Sequence, residues 1–226
     1  MSKVVIALDP PPKAEIEKWV RERVDYLDEL VSSFKVGLPL LLRTGVHRLR
    51  DLLSASSKPL IADLKLADIG DIMTYVVEAL ADAGVSAVIS HAFVGRRGAL
   101  DVLVRKSEEL GVKPILVVSM SHPGSTEFID KHLSEFVNLA LELRVWGVVA
   151  PATRGEVISR VRELAGKELK IFSPGIGAQG AEPGSAICYG ADYEIVGRAV
   201  TNSPNPREAL ERIVYEQERR VRECRS

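Results

Sequence analysis

Amide side chains and cysteines are nearly missing from this chain of 226 residues, which holds three asparagines (Asn138, Asn202, Asn205), two glutamines (Gln179, Gln217) and two cysteines (Cys188, Cys224). The cysteines lie far apart and form neither a metal-ligand spacing nor the dense framework of a small secreted domain, so free thiols in a reducing cytoplasm are expected. Scarce amides beside abundant Glu, Lys and Arg follow a hyperthermophile tendency, which frames a hypothesis about the source. The chain also lacks an excess of either charge: a formal net charge of -1 leaves no global basic field for nucleic acid or a membrane surface. No apolar run approaches the ~20 residues that cross a bilayer. The opening run Val4 to Leu8 is closed by Asp9 before it reaches signal-peptide length.

Hydrophobic residues make up 46% and charged residues 27%, the balance of a soluble globular protein. The apolar residues fall into eight short runs: Val4 to Leu8, Ser33 to Gly37, Leu60 to Leu64, Ala87 to Ser90, Ile115 to Ser119, Gly147 to Ala150, Lys170 to Ser173 and Tyr193 to Val196. Near-continuous apolar runs suit parallel strands covered on their outer face by helices. Segments of helical periodicity separate them, among them 13–31, 71–83, 99–110 and the charge-rich 206–222. The stretch from Gly175 to Gly190 reads as a flexible loop with at most a short helix. Eight βα units in so short a chain predict one (β/α)8 TIM-barrel domain over residues 1–226, ahead of a doubly wound open sheet.

Barrel enzymes carry their chemistry at the C-terminal ends of the strands. Those ends here hold Asp9, Lys35, Asp63, Lys65, Asp68, His91, Ser121 and Arg198. Several charges converging on one rim, each after an apolar strand, are not an ordinary solvated face. Asp63 and Lys65, two apart on a strand, are expected to face the same side. With Asp68 just beyond and Lys35 on the neighbouring strand, they form a near-neutral array in which each charge favours its partner's ionised form. Such an array is costly to bury without a purpose. Two carboxylates also suit a divalent metal, but the ammonium of Lys65 between them opposes it.

A second pattern follows the last two strands: Pro174-Gly175-Ile176-Gly177-Ala178-Gln179-Gly180, then Gly197-Arg198. Backbone N–H groups of such loops often hold phosphate in barrels, and Arg198 adds a permanently charged donor. His47 and His132 are expected on helix surfaces, His91 in a structural hydrogen bond to a neighbouring loop, and Arg96, Arg97 and Arg154 as helix-start or surface charges as readily as ligands.

In Ala7-Leu8-Asp9, Phe34-Lys35-Val36-Gly37, Asp63-x-Lys65-x-x-Asp68-Ile69, Ser121-His122-Pro123-Gly124, the Pro174 to Gly180 loop and Val196-Gly197-Arg198, the chain resembles the orotidine 5′-phosphate decarboxylase family, its short microbial and archaeal members in particular. The resemblance covers nearly the whole chain in order. It implies decarboxylation of orotidine 5′-phosphate to UMP with no metal or organic cofactor. It implies that Lys65 protonates C6 of the pyrimidine, that Asp63 lies beside the departing carboxylate, and that Lys35 and Asp9 meet ribose hydroxyls. Asp68 and Ile69 would come from the partner subunit of a homodimer. Ser121 would contact the pyrimidine, the Pro174, Gly175, Ile176 and Gly177 turn would enclose the substrate, and Gln179, Gly197 and Arg198 would hold its phosphate. One departure stands out. The family commonly reads Asp-Ile-Pro-x-Thr where this chain has Asp68-Ile69-Gly70-Asp71-Ile72, so the expected hydroxyl is absent, and Thr74 lies two residues too far on. The rivals are a magnesium-dependent 3-keto-gulonate-6-phosphate decarboxylase or hexulose-phosphate synthase, and a phosphate-ligand-binding barrel without turnover.

Overall fold

In the computed structural model, residues 3–225 are described. The eight strands are β1 (Val4–Leu8), β2 (Ser33–Gly37), β3 (Leu60–Leu66), β4 (Ala87–His91), β5 (Lys113–Val117), β6 (Gly147–Val149), β7 (Lys170–Ile176) and β8 (Tyr193–Val196). The α-helices are α1 (Ile16–Leu27), α2 (Leu38–Thr44), α3 (Leu49–Leu52), α4 (Gly70–Asp82), α5 (Asp101–Glu109), α6 (Leu133–Glu142), α7 (Gly155–Ala165), α8 (Ser185–Cys188), α9 (Arg198–Thr201) and α10 (Pro206–Arg225). All eight strands pair in parallel with their sequence neighbours, and β1 closes on β8. The expected (β/α)8 barrel is therefore the fold. Among the described residues no helix is long and apolar enough to cross a membrane.

Alternation along the strands divides the apolar side chains into two cores. Val5, Ala7, Ile61, Ile89, Ile115, Val117, Val149, Phe172 and Ile195 fill the barrel interior. Their alternates, such as Val4, Ile6, Leu8, Val36 and Val88, pack outward against the helices. The helices answer with residues three and four apart: Trp19, Val20, Val24 and Leu27 on α1, and Ala209, Leu210 and Ile213 on α10. Toward the N-terminal end of the interior, Phe172 stacks on Tyr193 and meets Trp146 at a tilt, each pair with ring centroids 5.0 Å apart. A cavity lies at the opposite, C-terminal mouth.

β4 runs one residue past its predicted end, and β3 and β7 run further because each resumes pairing after an irregularity. The β3–β4 register passes from Asp63↔Ile89 to Leu66↔Ser90, and the β7–β8 register from Pro174↔Ile195 to Ile176↔Val196. Beyond Ile176 the chain turns tightly and returns through the short helix α8, as the glycine-rich sequence implied.

The return is heavily anchored. Glu194 of β8 is fully buried and accepts hydrogen bonds from the N–H groups of Gly184 (2.9 Å) and Ala186 (3.1 Å) and from Gln217 Nε2 (2.8 Å). Burial pushes its pKa up in spite of these donors. Arg220 of α10 donates to the Pro183 carbonyl and pairs with Glu182 at 2.6 Å. The expectation of free thiols is wrong: Cys188 and Cys224 form a disulfide, with Cα atoms 6.0 Å apart. The packing of α8 against α10 brings them together across 36 positions of sequence, and no spacing rule anticipates that. Closing a loop of this length stabilises by roughly 2–4 kcal/mol. The melting temperature is expected above the mesophile cluster of about 45–65 °C, and a reductant should lower it by roughly 5–15 °C. Cys224→Ser should melt at the reduced value and no longer respond. A melting temperature indifferent to reductant contradicts a stabilising disulfide.

Candidate active site

The barrel mouth opens into a cavity of about 540 Å³, a volume typical of small-molecule sites. Of the sequence-predicted residues, Asp9, Lys35, Asp63, Lys65, Ser121, Pro174, Gly175, Ile176, Gln179, Gly197 and Arg198 all line it. Its floor is the top layer of the interior core, Ile89, Val117, Val149 and Ile195.

At one side the four charges form a chain. Lys35 is 6% exposed, and its Nζ lies 3.0 Å from Asp63 Oδ2 and 4.0 Å from Asp9 Oδ2. The other oxygen of Asp63, Oδ1, accepts a hydrogen bond from Lys65 Nζ at 2.7 Å. Asp63 is thus held by an ammonium on each oxygen. Burial works against its ionisation, yet Lys35 and Lys65 outweigh it and hold the carboxyl below the usual carboxylate range. Lys65 is the more open of the two amines, with its side chain 38% exposed.

Simple strand alternation does not account for the inward turn of Lys65. Leu64 and Lys65 are skipped by the β3–β4 pairing, and Lys65 has φ +48°, a left-handed conformation. For a residue with a Cβ this costs about 1 kcal/mol, and bulges of this kind commonly re-aim a side chain beside an active site. Lys65 and Asp63 do converge, but through the bulge.

Across the mouth, Gly175 (φ +116°) takes up the second register shift and Gly177 (φ +72°) turns the chain back. A Cβ at Gly177 would stand 2.7 Å from that of Ala199, so glycine also permits the close approach of the loop to α9. Gly177 itself does not line the cavity; its neighbours Ile176, Ala178 and Gln179 do, opposite Gly197 and Arg198. This rim offers one guanidinium, one amide and backbone donors to an anion.

Asp68 and Ile69 are not brought to the charged chain within one copy. Asp68 is exposed and accepts a hydrogen bond from the Ile69 N–H at 2.7 Å, and Ile69 is 62% exposed. The missing proline at position 70 has a local cause: a Cβ on Gly70 would already lie 2.5 Å from Val102 Cβ, where α4 crosses α5. Thr74 donates its hydroxyl to the Asp71 carbonyl at 2.7 Å inside the first turn of α4, so it does not replace the absent one. His91 makes no loop hydrogen bond through Nδ1, which is buried without a partner; its ring packs on Phe93 at 4.6 Å.

Sequence reasoning missed a polar network behind Ser121. Arg154 donates to Asp130, to the Met120 carbonyl and, at 2.8 Å, to Ser119 Oγ. Asp130 Oδ1 also accepts from Ser119 (2.7 Å) and Ser125 (2.8 Å), and the Met120 N–H donates to Ser125 Oγ (3.1 Å). Both backbone groups of Met120 are fixed this way, and with them the approach of Ser121 to the cavity. Arg154 stands at the start of α7, as one of its expected readings had it, and is the centre of this support. The only available signal was a seryl-rich turn followed by an acid and a distant arginine, which is too common to single out.

Fold and site together define a (β/α)8-barrel enzyme with a lysine–carboxylate array facing a rim that carries Gln179, Gly197 and Arg198. The chain belongs to the orotidine 5′-phosphate decarboxylase / HUMPS family, whose model matches residues 2–213. It is 45% identical over 213 residues to the orotidine 5′-phosphate decarboxylase of Aeropyrum pernix, spanning 93% of this chain and 86% of that protein. With the enzyme of the same name from Pyrococcus furiosus it shares 40% identity over 94% of this chain and 96% of that one. Among solved structures, orotidine 5′-monophosphate decarboxylase from Sulfolobus solfataricus superposes with a TM-score of 0.85 at 37% identity, covering 98% of this chain and 100% of that one. The Methanocaldococcus jannaschii enzyme, complexed with the inhibitor BMP, gives 0.85 at 32% identity over 96% and 99%.

Because Asp63 is held below the usual carboxylate range, the stability it contributes is full above that range and lost as the pH falls through its depressed value. Asp130 acts in the same direction, its burial outweighed by Arg154, Ser119 and Ser125. Asp63→Asn should destabilise by on the order of 3 kcal/mol at neutral pH, since it strands Lys35. It should also flatten the acid limb of denaturation midpoint against pH. An acid limb as steep as wild type contradicts the assignment.

Proposed function

We propose that the chain converts orotidine 5′-phosphate to UMP and CO2. The observation that carries this reading is the Lys35–Asp63–Lys65 array, with one ammonium open to the cavity, in a member of this family. Loss of CO2 breaks the bond from C6 to the carboxyl carbon and leaves the electron pair on C6, where the ring cannot readily delocalise it. The Lys65 ammonium stabilises that developing charge and then gives C6 its proton, and solvent restores the proton to the amine. Asp63 holds Lys65 in place and repels the substrate carboxylate, Lys35 and Asp9 take the ribose hydroxyls, and Ser121 reads the pyrimidine edge. The phosphate sits among Gln179, Gly197 and Arg198, far from C6. Its binding energy is available to order the 175–184 loop over the ring.

The reading needs no metal, because both oxygens of Asp63 are engaged by ammonium groups that a divalent cation would have to displace. It includes a homodimer in which Asp68 of the partner subunit completes the array. Support comes from the outward-facing Asp68 and from exposed apolar side chains after β2, β3 and β4, namely Leu38, Leu42, Ile69, Ile72, Tyr75 and Phe93. We keep the cytoplasm as the location, in an organism of the kind whose intracellular proteins carry disulfides.

The test is orotidine 5′-phosphate consumption followed by absorbance, with and without EDTA, for wild type and Lys65→Ala. Chelator-insensitive turnover that Lys65→Ala abolishes is expected. Abolition by EDTA would favour the magnesium-dependent relatives, which stabilise an enediolate on the metal. Absence of turnover by folded wild type, or undiminished turnover by the variant, would end the proposal. Arg198→Ala should weaken use of the phosphorylated substrate by roughly 1.5–3 kcal/mol, the worth of a charged hydrogen bond, and leave a phosphate-free analogue unaffected.

A further inference from the structure

The catalytic lysine sits on the irregular part of its strand, and something must hold that part still. Pairing between β3 and β4 is regular through Asp63↔Ile89 and then jumps to Leu66↔Ser90, so Leu64 and Lys65 have no ladder partner there. Among the described residues only Lys65 and Arg144 combine a side chain with a positive φ, and Arg144 follows the end of α6, far in sequence from the charged array. The ladder resumes at Ser90. Its side chain is fully buried, and its hydroxyl donates a 2.7 Å hydrogen bond to the Leu66 carbonyl, the residue after Lys65. A hydroxyl has one proton to give, and this one is spent on the bulge. The sulfur of Met73 on α4, a weak acceptor 3.8 Å from Ser90 Oγ, competes poorly for that proton with a carbonyl at 2.7 Å.

We propose that Ser90 is a positioning residue for proton transfer: its hydroxyl pins the Leu66 carbonyl, fixes the bulge, and so keeps the Lys65 ammonium on Asp63 and aimed at the reacting carbon. The inference rests on the role given to Lys65 above. Nothing else about Ser90 accounts for a buried hydroxyl at this point, because the N–H and C=O groups of β4 are already engaged by the neighbouring strands. Without the hydroxyl, the Leu66 carbonyl loses its side-chain donor, the left-handed turn at Lys65 relaxes, and the amine drifts from its partner by a fraction of an ångström or more. Ribose and phosphate contacts belong to other strands and stay where they are.

The test compares Ser90→Ala, which deletes a single oxygen, with Ser107→Ala, which deletes a fully buried hydroxyl that has no hydrogen-bond partner and lies on α5 away from the cavity. Ser90→Ala should lower kcat roughly ten- to hundredfold, the effect of misplacing a reacting group by about 1 Å, with KM little changed. Ser107→Ala should keep wild-type kcat and KM even if it melts earlier. Ser90→Cys, nearly isosteric and a weak donor, should lie between wild type and Ser90→Ala, and supplies the reading if the alanine variant does not fold. Wild-type kcat in a folded Ser90 variant overturns the inference, as does a loss shared equally between kcat and KM, or an equal loss in Ser107→Ala. Failure of the parent reading looks different, because Lys65→Ala would then retain full turnover.

Discussion

One carboxylate shared between two ammonium groups is the interaction on which this site depends. Asp63 is buried in the barrel mouth with Lys35 on one oxygen and Lys65 on the other. A charge taken that far from water is tolerable only when its partners are held as rigidly as it is. The barrel provides the rigidity: Lys35 lies between Ala7 and Ile61 in register, on a strand hydrogen-bonded on both edges. The aromatic rings of Trp146, Phe172 and Tyr193 pack together at the other end of the interior.

The two departures from regular pairing sit at the two chemical poles of the mouth. At the end of β3 a bulge aims Lys65; at the end of β7 one extra residue, Gly175, starts the glycine-rich turn opposite. Each is secured from outside the cavity. Ser90 binds the first, and the return of the second is gripped by Glu194, Gln217, Arg220 and the Cys188–Cys224 disulfide. Behind Ser121, Arg154 and Asp130 serve a third segment in the same manner. Local strain at functional positions is thus offset by hydrogen bonds and a covalent link in the layer behind them.

Much of this was legible in the residues alone. Eight apolar runs separated by helical periods led to the closed barrel, because strands buried on both faces must be apolar throughout. Reading their ends located Asp9, Lys35, Asp63, Lys65, Ser121 and Arg198, all of which line the cavity. What escaped depended on the third dimension. Cys188 and Cys224 are neighbours only through helix packing, and Gly70 is explained only by Val102 arriving from another helix. The turn of Lys65 is a backbone event that period-two reasoning cannot represent. The orientation of Asp68, outward and away from its own Lys65, is set by the start of α4 and not by its spacing from Lys65.

In the proposed homodimer the array is completed from a second copy, with Lys65 and Asp68 of one site supplied by different subunits. Mixed dimers measure this directly. Lys65→Ala and Asp68→Ala, each inactive alone, are coexpressed with different tags, and turnover of the assembled mixture is recorded. Random pairing restores about a quarter of the wild-type sites, since half the dimers are mixed and each carries one intact site of two. Turnover near that fraction is predicted. A mixture as inactive as its components would contradict the claim, and so would an Asp68→Ala protein with undiminished activity.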